Sequence, residues 1–127
     1  MSVNRPTETE LEILNVLWGN GRSTVREVHD LLQLQKETTY ATTVKMLSVM
    51  FEKGLVNRDQ SVRPQIYQAA ITRRSTQKKA LRAMAKQVFE GSYKSLVLQA
   101  LAERKHNQEE LEEISRLVEE LKKREGK

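Results

Sequence analysis

The sequence predicts a mostly α-helical protein with one β-hairpin set after its third helix, and three observations predict it. Helix-start signatures recur along the chain. Apolar residues follow them at helical spacing, and the stretch from Leu55 to Ala69 alternates instead. A chain of 127 residues has room for one domain or two small ones.

The first helix starts at "TETE", where Thr7 and Glu10 form a capping box, each side chain satisfying an amide of the other's turn. Leu11, Leu14, Leu17 and Trp18 then recur at helical spacing, and "GNG" at residues 19 to 21 ends the element. In "STVREVHDLLQ", Thr24 and Glu27 make a second capping box and Val25, Val28 and Leu32 an apolar stripe. His29, beside Asp30, reads as a surface histidine. A third helix is expected from about Thr39 to Lys53, closed by Gly54. Val44, Leu47 and either Met50 or Phe51 are expected on its buried face, with Thr42, Lys45, Met46 and Val49 opposite and Tyr40 on either side.

After Gly54 the period changes. "LVNRD" and "QIYQA" are short alternating segments joined by the polar "QSVRP", the pattern of a β-hairpin. Three short helices followed by a hairpin is the order of a winged helix-turn-helix, which enters the major groove of DNA with its last helix. Residues 1–70 are therefore expected to be a DNA-binding domain.

Residues 71–127 read as helical again. Leu81, Met84 and Val88 repeat at i, i+3, i+7; "FEGS" interrupts; "YKSLVLQALAE" is apolar nearly all round through Leu96, Val97, Leu98 and Leu101. Asn107 and Glu110 suggest another cap, before a seam of Leu111, Ile114, Leu117 or Val118, and Leu121. The segment has only two aromatics, Phe89 and Tyr93, and a unit this small buries too little surface to be stable alone. A helical dimerisation domain is expected, joined to a second copy through Leu81, Met84, Val88, Leu96, Val97, Leu101, Ile114 and Leu117. The alternative is that these helices fold back on the first domain.

Composition narrows the function. The chain is 38% hydrophobic and 31% charged, with a formal charge of +5 and no cysteine. Disulfides, thiol nucleophiles and thiolate metal sites are excluded. No run approaches the roughly 18 apolar residues of a membrane span, and no signal-peptide pattern opens the chain, so a cytoplasmic protein is expected. The charge is uneven. Between Arg58 and Lys86 there are eight basic residues and one acid, Asp59, whereas from Glu103 onward seven basic residues face eight acids. Such a patch favours a polyanion.

No set of polar groups suits an enzyme. His29 and His106 lie far apart, the pairs Glu109-Glu110 and Glu112-Glu113 belong to a charged helix face, and the glycines sit at turns without a phosphate-cradling loop. No cofactor or metal is expected. Binding of double-stranded DNA accounts for more. Thr38 and Thr39 would lie at the helix cap near phosphates, Thr42 and Lys45 would reach base edges, and Tyr40 and Met46 would sit beside them. Arg58 and Arg63 flank the hairpin, where a wing meets the backbone. A winged helix can also serve as a protein-interaction module, which is the rival reading.

The motifs "ETELEILNVLW", "STVREVHDLL", "TTVKML", "EKGLV" and "SLVLQAL", in this order, resemble the penicillinase and methicillin-resistance repressors, the BlaI/MecI family. The likeness covers about residues 7 to 121, and "FEGSYKSLVL" is its most specific part. The resemblance implies a homodimeric transcriptional repressor on a palindromic operator with TACA/TGTA-like half-sites. In antibiotic-resistance members, a membrane sensor carrying a zinc protease responds to β-lactam, and the repressor is cut within its dimerisation domain. Three departures stand out. The family's Asn-Phe cleavage bond corresponds here to Gln99 and Ala100. The cysteine pairs of the copper-responsive branch are missing, which excludes copper sensing by that route. Lys45 stands where threonine is common and Val49 where a basic residue is common, so the resemblance implies a different operator sequence.

Overall fold

The computed structural model describes residues 5–126; the outermost residues of the two expected domains, 1–4 and 127, lie outside it. Six helices and one hairpin follow in order: α1 (Glu8–Asn20), α2 (Val25–Gln33), α3 (Tyr40–Glu52), β1 (Val56–Asp59), β2 (Ile66–Ala69), α4 (Arg73–Val88), α5 (Tyr93–Ala102) and α6 (Gln108–Glu125). This is the winged-helix order followed by a helical segment, as the sequence patterns predict.

The caps form as read. Thr7 with Glu10, Thr24 with Glu27, and Asn107 with Glu110 each make a reciprocal capping box, satisfying amides that have no partner inside the helix. At the far end of α3, Gly54 adopts φ +82°, a left-handed conformation that glycine adopts without a Cβ clash. Its N–H donates to the Phe51 carbonyl at 3.1 Å, and the Leu55 N–H reaches back to Met50 at 2.9 Å. That pair of bonds is a Schellman turn, in which the residue after glycine packs on the helix's last turn. Leu55 and Met50 are both fully buried.

Chain contacts divide the molecule into two compact units, 1–79 and 80–127. In the first, one core gathers Ile13, Leu14 and Leu17 of α1, Val28 and Leu32 of α2, Leu47 and Met50 of α3, and Leu55, Val56 and Tyr67 of the hairpin region. The hairpin pairs antiparallel from Val56↔Ala69 to Asp59↔Ile66. A third chain segment joins it: Ser23 exchanges both backbone bonds with Tyr67, at 2.9 and 2.7 Å. The turn between α1 and α2 thus ties the wing to the helices.

Two expectations are corrected. On α3 the buried stripe is Thr43, Leu47 and Met50, while Val44 is 40% exposed. At 100° per residue, position 43 lies closer in angle to 47 than 44 does, and the rotation of the helix overrides the polarity of one threonine. His29 is not a surface residue; it is 4% exposed. It adjoins Val28 on the side of α2 facing α3, and a polar contact there satisfies its ring nitrogen.

The unit 80–127 contrasts with the first. Among its described residues only Ala85 is buried. Met84 is 52% and Val88 68% exposed, and Leu81, Val97, Leu98, Leu111, Leu117, Val118 and Leu121 are exposed as well.

α1 and α3 are joined by a largely buried ion pair. Glu10 is 2% exposed, and Lys53 Nζ donates to its Oε2 at 2.7 Å while Thr7 N–H donates to Oε1 at 2.9 Å. Burial raises the Glu10 pKa. The Lys53 hydrogen bond, the Thr7 amide and the charge of Lys53 together outweigh that and hold it below its ordinary value of 4.5. A depressed carboxyl pKa adds stability that is complete above the unfolded value and disappears as pH falls through the folded one. Glu10→Gln should therefore cost about 1.5–3 kcal/mol at pH 7, the worth of a charged hydrogen bond, with the difference closing below pH 4.5. Urea unfolding at neutral and acid pH measures this; an equal loss at both would remove the ion pair as its cause.

Candidate nucleic-acid interface

The N-terminal turn of α3 is held by threonines. Thr39 is the N-cap, and its Oγ1 accepts from the Thr42 N–H at 3.1 Å. The same hydroxyl donates to Thr42 Oγ1 at 2.9 Å, which leaves the Thr42 hydroxyl proton free for an acceptor outside the protein. Thr42, Lys45, Ser48 and Val49 are exposed along one side of the helix, and Val44 adds a further apolar contact surface. Lys45 takes part in no ion pair among the described residues. Thr38 is half-buried just before the cap. Met46 is also half-buried and packs partly on the core.

Beneath this surface runs a chain of polar contacts. Thr43 Oγ1 donates to the Thr39 carbonyl at 3.3 Å and lies 3.0 Å from His29 Nδ1. With the hydroxyl proton directed at Thr39, the Nδ1–H tautomer of His29 completes the chain. The His29 and Tyr40 rings pack in a T-shaped pair, with centroids 5.6 Å apart and planes at 85°. On Tyr40 lies the Arg26 guanidinium, 4.3 Å from the ring centroid, and Arg26 also reaches Asp30 at 3.9 Å. α2 therefore grips the first turn of α3 twice, through a buried hydrogen bond and through a cation stacked on an aromatic face.

The hairpin arginines differ. Arg58 stacks over Phe51 at 4.0 Å, and Gln60, in the amide orientation that satisfies both groups, accepts from its Nε at 2.8 Å. Arg63 stands exposed in the turn, with a single 3.4 Å bond to the Gln60 carbonyl. Between them Asp59 accepts from the hydroxyl and backbone N–H of Ser61, which with the charge of Arg22 at 3.2 Å hold its carboxyl below the usual range. The acid inside the wing is thus already partnered.

Sequence reasoning did not single out Arg26 or the His29–Thr43 pair. Arg26 and Tyr40 are 14 positions apart, a distance at which no local pattern operates. Thr43 carried a readable signal, because 43, 47 and 50 follow the helical period. In the C-terminal unit, Leu81, Met84, Val88, Val97 and Leu117 are exposed and Leu96, Leu101 and Ile114 half-buried. Gln99 and Ala100 are exposed within α5, and Gln99 Nε2 donates to Ser95 Oγ at 3.4 Å.

The model of the penicillinase repressor family matches residues 6–120. The chain is 20% identical over 112 residues to the methicillin resistance regulatory protein MecI of Staphylococcus aureus strain N315, covering 88% of this chain and 91% of that protein. It is equally similar, by the same shares, to MecI of Mammaliicoccus sciuri. Its identity to the penicillinase repressor of Staphylococcus aureus is 23% over 115 residues, with 91% of each chain covered.

His29→Leu should leave the Thr43 hydroxyl without its second partner and cost about 1–3 kcal/mol, the penalty of an unsatisfied buried polar group. His29→Asn, whose amide can place an N–H near the position of Nδ1, should recover part of that loss. Thermal unfolding of the two variants measures the difference; equal stability would mean that the hydrogen bond does not contribute.

Proposed function

The chain belongs to the penicillinase repressor family, and on that premise we propose that it is a sequence-specific transcriptional repressor acting as a homodimer on a palindromic operator in double-stranded DNA. The family is one of repressors, not enzymes. The observation that carries the reading is the exposed side of α3. It presents a free hydroxyl donor on Thr42, the Lys45 ammonium and the apolar Val49 from a helix whose opposite side is locked into the core. Donors and small apolar groups on one face suit the major groove, where bases show acceptors and the thymine methyl.

In this reading residues 1–70 bind DNA and residues 71–127 dimerise. Thr42 and Lys45 meet base edges, with Met46 contributing the part of its side chain left free of the core. Thr38, Thr39 and Tyr40 lie near phosphates at the helix N-terminus, where unpaired amides favour anions. Arg63 meets the backbone at the wing, and Arg58 does so from its stack on Phe51. Two copies join through Leu81, Met84, Val88, Leu96, Val97, Leu101, Ile114 and Leu117, which is supported by the apolar surface that this unit leaves open. Joining two readers makes the second half-site contact effectively intramolecular. Anything that loosens the dimer then releases DNA.

Proteolytic release by a membrane sensor metalloprotease, in response to a β-lactam or another cell-envelope signal, follows the same logic. The bond at Gln99 and Ala100 lies inside α5, so cutting there requires that helix to unwind locally. The repressor would act in the cytoplasm.

Binding to the promoter of its own gene, followed by fluorescence anisotropy with a scrambled duplex alongside, should show a preference of about a thousandfold or more. Lys45→Ala should lower operator affinity by about 1–3 kcal/mol and relax selectivity at one base step. Equal loss on both duplexes would move Lys45 to the phosphates, and no binding of the wild type to either duplex would favour a protein-interaction module. Replacing Val97 and Leu101 by Gln should give monomers in sedimentation and weaken the operator complex; a dimer that persists would remove α5 from the seam.

A further inference from the structure

We propose that α4 carries a second DNA-contacting surface, a row of cations that grips phosphates beyond those met by α3 and the hairpin. The proposal rests on the operator-binding reading above and extends it to a helix that neither reads bases nor belongs to the wing. Arg74, Lys78, Arg82 and Lys86 repeat every four residues along α4, with Lys79 beside them, and no acid occurs anywhere in the helix. All are exposed. None of the ion pairs among the described residues involves any of them. The apolar residues Leu81, Met84 and Val88 occupy a separate face, roughly a third of a turn away.

Helix stability does not account for this row. Like charges four residues apart repel one another on a helix surface, and Arg74 stands in the first turn, where the helix dipole disfavours a cation. The same chain builds a different helix where both signs of charge are present and suit the helix dipole. α6 has Glu109 and Glu110 in its first turn, Lys122, Lys123 and Arg124 in its last, and Lys122 paired with Glu119 at 3.5 Å. α4 shares only the basic last turn, at Lys86; it has no acid in its first turn and its row makes no ion pair among the described residues, leaving its charge to be neutralised from outside.

The partner is identified by geometry and charge. From Arg74 to Lys86 the row extends over about 18 Å of helix, and duplex DNA offers one negative charge per roughly 1.7 Å of its axis. The first turn of α4 is also fixed to the DNA-reading unit. Trp18 Nε1 donates to the Ile71 carbonyl at 3.0 Å, Ile71 packs on the core, and the Arg73 guanidinium lies 5.5 Å from the Trp18 ring centroid. Arg74, Lys78 and Lys79 thus belong to the unit that the reading above assigns to DNA, and Arg82 and Lys86 continue the row along the same helix. An anionic membrane surface is the other polyanion such a face could meet, and the experiment separates the two.

The test compares the full-length wild type with the triple variant Arg74→Gln, Lys78→Gln, Arg82→Gln, glutamine being a good helix former. Binding to a long operator duplex is followed across salt. Each phosphate that the variant no longer neutralises should flatten the slope of log K against log salt by about 0.9, so the slope should fall by about 2 to 3 units for each subunit, about 5 for a bound dimer, while the ratio of operator to scrambled binding is kept. Trimming the duplex to its half-sites should lower the wild-type slope and leave the variant unchanged. Relieved of repulsion, the variant should melt no lower than the wild type. An unchanged slope overturns the proposal, and so does a lower melting temperature, which would make the row structural. Loss of binding to phosphatidylserine vesicles with an unchanged DNA slope overturns it in favour of a membrane. A wild type that binds operator and scrambled duplexes alike fails the operator reading itself, whatever the slope of the variant.

Discussion

The buried stripe of Thr43, Leu47 and Met50 sets the rotation of α3 about its own axis, and the character of the site depends on it. A rotation that buried Val44 in place of Thr43 would carry Thr42 and Lys45 round with it and change which groups face outward. Leu47 and Met50 supply the apolar weight, each fully buried. Thr43 can join them because its hydroxyl is satisfied on both sides, by His29 and by the Thr39 carbonyl. A buried polar group costs little when its partners are present and much when one is missing, so this contact specifies one rotation of α3 more sharply than an apolar side chain would.

The ends of α3 are held by independent means. At the N-terminus the Thr39 cap, the His29 contact and the Arg26–Tyr40 stack all act within one turn. At the C-terminus the Schellman turn at Gly54 and the Lys53–Glu10 pair connect the helix to the wing and to α1. The wing is in turn fastened to the α1–α2 connection through Ser23 and Tyr67. A helix pinned at both ends and along one side offers its free side as a preorganised surface, and preorganisation reduces the ordering that binding would otherwise require.

The two units differ in what completes them. Residues 1–79 enclose a core drawn from α1, α2, α3 and the hairpin. Residues 80–127 make well-capped helices yet bury a single alanine among their described residues. Local signals suffice to form helices, but they do not supply the apolar burial that stabilises a fold. The exposed Leu, Val and Met side chains of this unit are therefore the part of the molecule most in need of a partner surface.

The sequence by itself determined the elements and their caps, because capping boxes, a closing glycine and the switch from helical to alternating period act over three to five neighbouring residues. Thr7 and Glu10, Thr24 and Glu27, Asn107 and Glu110, and Gly54 could each be read without any knowledge of the fold. The winged-helix order followed from those elements alone, and so did the exposure of Thr42 and Lys45. Only the tertiary structure decided that His29 is buried, that Thr43 and not Val44 faces the core, and that Arg26 and Arg58 lie stacked on aromatic rings. Those outcomes rest on pairs such as His29 with Thr43 or Arg26 with Tyr40, 14 residues apart in each case. Such pairs meet only after α2 and α3 have packed, and the packing of two helices is set by their whole surfaces rather than by any short stretch of chain.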